Sequence, residues 1–149
     1  MSLNLIVLAC SSRKAWGKKA PVLQGSLLPA EEAYIGTIFK YGRQYAKQNN
    51  HDFIILSAHY GILQPTDLIQ NYNTKLTKRT DALAIRSKFA PVIQQLFDTY
   101  PGIEMIGGNP HYRLVFSGFD DFKFSYIKSI GCGDLSSKLK NAVENKTKI

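Results

Sequence analysis

Three short apolar runs constrain this chain more than any other feature, because each is nearly continuous and each stops abruptly on small or polar residues. Leu5-Ile6-Val7-Leu8-Ala9 runs into Cys10-Ser11-Ser12-Arg13-Lys14, and Phe53-Ile54-Ile55-Leu56 into Ser57-Ala58-His59-Tyr60-Gly61. Ile103-Glu104-Met105-Ile106 ends on Gly107-Gly108-Asn109-Pro110-His111. A run without polar alternation has no solvent face, so it belongs to a strand covered on both sides, as in parallel sheets. Helical patterns separate the runs. The expected architecture is therefore α/β, a three-layer α/β/α domain with a mostly parallel central sheet, spanning 1–149 as a single unit. In such sheets ligands bind beyond the carboxyl ends of the strands. Every abrupt stop falls on that edge.

Between the runs, Pro29-Ala30-Glu31-Glu32 reads as a helix start, and Ile38, Phe39, Gly42, Tyr45 and Ala46 as one face of that helix up to Asn49-Asn50. The stretch from Gly61 to Lys78 reads as a long connection with a turn at Pro65-Thr66-Asp67. Thr80 or Asp81 is the expected cap of a second helix with a stripe of Ala82, Ile85, Phe89, Val92, Ile93 and Leu96, and Pro91 within it predicts a kink or a break into two helices. His111 to Phe116 suggests a short helix ended by Gly118, and the alternation of Phe122 to Ile127 a short, partly exposed strand. Gly131-Cys132-Gly133 reads as a turn, with Asp134 capping a last helix through Asn145.

Charge narrows the partner class. The chain carries a formal net charge of +8 and a pI near 9.5. Its Lys and Arg residues cluster at Arg13-Lys14-Lys18-Lys19, Lys75-Lys78-Arg79 and Lys138-Lys140-Lys146-Lys148. The first cluster follows a strand end, where anions sit, so nucleic acid or a nucleotide is the expected partner. No apolar stretch reaches the roughly 20 residues of a membrane span, so no membrane association is expected. Two cysteines fit a reducing, cytoplasmic setting better than a disulfide scaffold. Gly17-Lys18-Lys19 lacks the pattern of a phosphate-binding Walker loop, and Gly131-x-Gly133 lacks the third glycine of a dinucleotide fingerprint. Cys10, His59 and His111 lack paired ligand spacing. No cofactor and no metal is expected.

Candidate chemistry gathers at the three stops. Cys10 is a potential nucleophile, although free cysteine is a commonly buried type and no partner base is legible, so it reads first as a core residue. Ser11, Ser12, Arg13 and Lys14 read as phosphate contacts. Ser57 ends the second run, and His59 beyond it is the side chain best suited to acid–base work near neutrality. Tyr72 lies along the loop that follows. Gly107, Asn109 and Tyr112 offer close backbone approach and contacts to a base or sugar.

These residues also form an ordered series that resembles a known family. Leu8-Ala9-Cys10-Ser11-Ser12-Arg13-Lys14, Ala33-Tyr34 with Phe39, Arg43 and Tyr45-Ala46, and Ile55 through Leu63 with Pro65 and Tyr72 look like the YaaA-like uncharacterised domains of bacteria and phages. Gly107 with Tyr112, and Gly131-x-Gly133 before Leu139-Lys140, extend the series along nearly the whole chain. Those domains are in turn similar to a domain of archaeosine-type tRNA-modification enzymes and, more distantly, to the uracil-DNA glycosylase-like fold. The aspartate that such glycosylases carry directly after strand one has no counterpart here, which weighs against base excision.

The expectation is a nucleic-acid- or nucleotide-binding domain associated with base modification or repair. Two alternatives stand beside it. One is a small-molecule, nucleoside-type enzyme using Cys10 or His59 in an enclosed pocket; the other is a noncatalytic bacterial or phage accessory protein.

Overall fold

A computed structural model describes residues 4–11, 14–16, 26–127 and 132–146. Its centre is a five-stranded sheet built on β1 (Leu5–Ala9), all five residues of which are buried. β1 pairs in parallel with β3 (Asp52–Ser57) on one edge and with β6 (Ile103–Ile106) on the other. β7 (Phe124–Tyr126) adds to β6 in parallel, and β4 (Gly61–Leu63) returns antiparallel along β3. The order is β4-β3-β1-β6-β7, so four of the five strands run in the same direction. The three apolar runs are the three central strands.

Alternate side chains of β1 enter two separate cores. Ile6 and Leu8 pack with Phe39, Tyr45 and Ala46 of α2 (Thr37–Gln48) and with Leu135, Leu139 and Ala142 of α6 (Cys132–Asn145). Leu5, Val7 and Ala9 pack on the opposite face. That core holds Ala82 of α3 (Arg79–Lys88), Ile93 and Phe97 of α4 (Ala90–Thr99), and Tyr112 and Val115 of α5 (Pro110–Val115). Helices thus cover both faces, and the architecture is three-layer α/β/α. Each Leu or Ile fully buried in this way contributes about 1.5–3 kcal/mol, which is why the central run tolerates no polar residue. Among the described residues, no helix is long and apolar enough to cross a membrane.

Several elements depart from the sequence expectation. The first helix is two: α1 (Ala30–Ala33) makes one turn, then Tyr34 turns extended and bridges antiparallel to Lys14 before α2 begins. The expected loop from Gly61 to Lys78 contains β4 and also β5 (Leu68–Ile69), which pairs with β2 (Leu28–Pro29). Strands of two or three residues are set by distant partners, so no local periodicity announces them. Neither Thr80 nor Asp81 caps α3, which starts at Arg79 after Lys78 with no side-chain cap. The break near Pro91 does occur, at Phe89, and it turns Val92 outward at 43% exposure while Phe97 is buried. Cys132 and Gly133 are helical rather than a turn, so Asp134 lies inside the first turn of α6, paired with Lys138 at 3.2 Å. Gly131 lies outside the described residues.

Gly61 marks the sharpest steric demand. Its φ is +79°, and a Cβ there would sit 2.2 Å from the Phe89 ring. Gly61→Ala should therefore cost roughly 1–3 kcal/mol, read as a lower urea midpoint. Gly133→Ala meets nothing within 4 Å and should instead gain up to about 1 kcal/mol through helix propensity. Equal shifts for both variants would contradict this packing.

Candidate functional site

Because β3, β1 and β6 are adjacent and parallel, their carboxyl ends open side by side. The ladder runs one residue past β1, where the Cys10 amide donates to the Leu56 carbonyl at 3.0 Å. The chain travels from β1 to β3 on one side, then comes back to lay β6 on the other. The helices of these two passes cover opposite faces, so the loops diverge and a crevice opens between β1 and β6. This is the switch point at which open α/β sheets bind ligands.

Two hollows occupy that crevice, separated by Cys10 and Ser11. The first, of about 280 Å³, is walled by Cys10, Ser11, Lys14, Asn109, Tyr112 and residues 73–77. The second, of about 350 Å³, lies toward α2 and is lined by Ala9, Cys10, Ser11, residues 36–39, Gly107, Gly108 and Ser136. Cys10 packs against both cores, as expected of a core residue, but is not enclosed by them. It is half-buried, lines both hollows, and its Sγ lies 3.3 Å from the Tyr112 hydroxyl. Asn109 is a structural anchor as well as a wall. Its side-chain oxygen accepts from the His111 amide at 2.9 Å and its Nδ2 donates to the Leu76 carbonyl at 2.8 Å.

Lys14 is the most informative charge. It is half-buried, with Nζ 4.6 Å from the centre of the Tyr72 ring. Burial pushes its pKa below the ordinary lysine value, opposed by the nearby Cys10 and reinforced by Lys75. Lys75 lines the same hollow, and the described residues of the lining include no carboxylate. None of the ion pairs among the described residues involves either lysine. A lysine leaning on a ring keeps its whole charge available to an incoming anion, because the ring carries none.

Tyr72 is held by a chain of hydroxyls. Ser57, fully buried at the end of β3, donates to the Tyr72 hydroxyl at 2.8 Å. Its Oγ accepts from the His59 and Tyr60 amides at 3.1 and 3.0 Å, so its proton and both lone pairs are used. The Tyr72 and Tyr34 hydroxyls lie 2.6 Å apart. Burial pushes the Tyr34 phenol up to about 12 and the Tyr72 phenol higher still, so both remain protonated near neutrality.

His59 stands outside this wall. It is exposed, stacked on Tyr72 with centroids 5.1 Å apart, and its Nδ1 is 3.5 Å from the Thr74 hydroxyl. It lines neither hollow. Of the residues expected at the site, Cys10, Ser11, Lys14, Gly107, Asn109 and Tyr112 line the crevice, while Ser57 and Tyr72 support Lys14 from behind. Ser12 and Arg13 lie outside the described residues. Sequence reasoning missed three contributors. Tyr34 was hidden by the helix expected across it, Lys75 counted only as one member of a basic cluster, and Ser136 arrives from a distant helix with no local signal.

Comparison with known proteins matches residues 5–116 to a family of unknown function (DUF6884). The chain belongs to that family. The matched stretch contains every described residue of the lysine-bearing hollow but ends before α6. The chain is also similar to the uncharacterised protein YfjM of Bacillus subtilis (strain 168). Identity is 25% over 149 residues, covering 96% of this chain and 97% of that protein.

Ser57→Ala removes one of the two hydroxyl partners of Tyr72 and leaves two loop amides without theirs, and should lower stability by about 1–3 kcal/mol in urea unfolding. An unchanged midpoint would remove Ser57 from the support of the site. The raised Tyr34 phenol has a pH signature. Stability is full below the unfolded tyrosine value of 10.0 and declines as pH climbs to about 12, because the unfolded chain releases the proton first. Unfolding measured across that interval in Tyr34→Phe should show a shallower decline.

Proposed function

We propose that the strand-end crevice binds the phosphate of a nucleotide or nucleic acid, in a role associated with base modification or repair. The observation that carries this reading is that Lys14 and Lys75 both line a hollow whose described residues include no carboxylate. Desolvation strengthens the attraction of a half-buried ammonium for phosphate relative to one in open water. Ser11 and Thr74 supply neutral donors beside it, and the net charge of +8 favours encounter with polyanions. The resemblance to YaaA-like domains, and through them to archaeosine-type tRNA-modification and uracil-DNA glycosylase-like domains, supports the association with bases.

One observation favours a second reading. Cys10 lines both hollows and stands beside Lys14, which suits a nucleoside-type enzyme acting through a thiolate. That reading requires rapid alkylation of Cys10 by iodoacetamide at neutral pH, slowed by bound nucleotide. A slow, ligand-independent rate would remove it.

The phosphate reading is tested by fluorescence anisotropy of labelled DNA and RNA strands across a salt series. Affinity should fall linearly with the logarithm of salt. Lys14→Ala should weaken binding about 10-fold and lower the slope by about 1. Affinity should also fade with rising pH before an ordinary exposed lysine would discharge, since only charged Lys14 attracts phosphate. Binding absent below millimolar concentration, or indifferent to salt, would overturn the reading.

A further inference from the structure

Resting on that phosphate reading, we infer that the second hollow takes the base of the same ligand, and that the ligand is therefore an unpaired nucleotide rather than a base-paired duplex. The two hollows meet at Cys10 and Ser11, which line both. A phosphate held at Lys14 and Lys75 would place the attached sugar and base on one side or the other of that divide. The chemistry of the second hollow selects the base. Among the described residues that line it, the Cys10 thiol is the one ionisable side chain, and none carries a cation to compensate a second phosphate. Ile38 and Phe39 supply apolar wall, Gly107 and Gly108 leave the β6 side without side chains, and the hydroxyls of Thr37 and Ser136 stand available to a base edge.

Size and position agree. About 350 Å³ falls in the range of small-ligand pockets, which are mostly apolar with a few polar groups that fix orientation. The hollow lies over the β1–β6 switch point, where the diverging loops leave room. A Cβ at Gly107, whose φ is +82°, would come within 3.2 Å of Ile38 Cγ2, so any larger residue there would take up this space. A base stacked and paired in a duplex presents only its edges and cannot enter such a recess; an unstacked one can. Ser136 comes from α6, outside the 5–116 stretch matched by the family. Base preference is thus assigned partly to a wall that the family match does not include.

The test compares three labelled probes of equal length: a single strand, the same strand as a duplex, and a fully abasic strand carrying the same phosphates. Nucleoside monophosphate and ribose 5-phosphate serve as competitors that separate a free nucleotide from a polymer. The single strand should bind about 10-fold more tightly than the abasic strand, and nucleoside monophosphate should compete better than ribose 5-phosphate. Ser136→Trp, which fills the hollow from α6, should bring the ratio of intact to abasic affinity to about 1. Thr37→Trp, which fills it from α2, should do the same, and circular dichroism identifies a variant that has not folded. All three probes binding alike with an intact salt slope would overturn the base assignment and leave the phosphate reading standing. No probe binding at all would overturn the phosphate reading, and the base assignment with it. A wild-type preference for the abasic strand, or one for the intact strand that survives both tryptophans, would place the base elsewhere.

Discussion

The two-sided burial of β1 is the constraint from which the remaining structure follows. Five buried residues hydrogen-bonded along both edges can sit only at the centre of a sheet, so β3 and β6 must flank them and helices must cover both faces. Once that strand is central, the chain has to leave it at Cys10 and cross to either side in turn. The crevice is a by-product of those crossings. The residues that happen to follow the strand ends inherit a concave, partly dry position without any of them having to create it.

Within that position the choice of neighbour decides what the charge can do. A carboxylate beside Lys14 would have neutralised it and left an ion pair of little use to a ligand. Tyr72 gives the ammonium a surface to lean on while leaving the net charge of the hollow positive. The ring can serve this way only if it is fixed and neutral; Ser57 and Tyr34 fix it through short hydroxyl contacts, and burial keeps its phenol protonated. The buried serine that follows the apolar run of residues 53–56 is thus explained by what it holds.

Much of this was legible in the chain itself, for identifiable reasons. The central strands announce themselves because burial on both faces leaves a local mark, and Pro91 and Gly118 act on their own backbone. Lys14, Ser57 and Tyr72 could be nominated because strand ends are functional places in parallel sheets. What escaped depends on partners far along the chain. β5 exists because Leu28 and Pro29 lie opposite it. The helix break at Tyr34 exists because Lys14 bridges there, and Cys10 faces a crevice because α2 and α5 stand back from it. Helical spacing across residues 30–46 is real, yet it could not show that one turn in the middle is given up to bring a phenol to Tyr72.

The inner wall of the lysine-bearing hollow has an unusual mechanical character. Among the described residues, no backbone-to-backbone hydrogen bond holds residues 72–77. Its fastenings include the Tyr72 hydroxyl, the buried Leu76 side chain, Asn109 reaching the Leu76 carbonyl and the Leu76 amide meeting the Tyr112 hydroxyl. Such a wall behaves like a panel on a few pins rather than a plank in a floor. Its edges can adjust to the outline of a guest without tearing any ladder, while the pins hold the exposed Lys75 at the rim of the hollow. Rigidity in the sheet and compliance in this panel are thereby divided between neighbouring stretches of one chain.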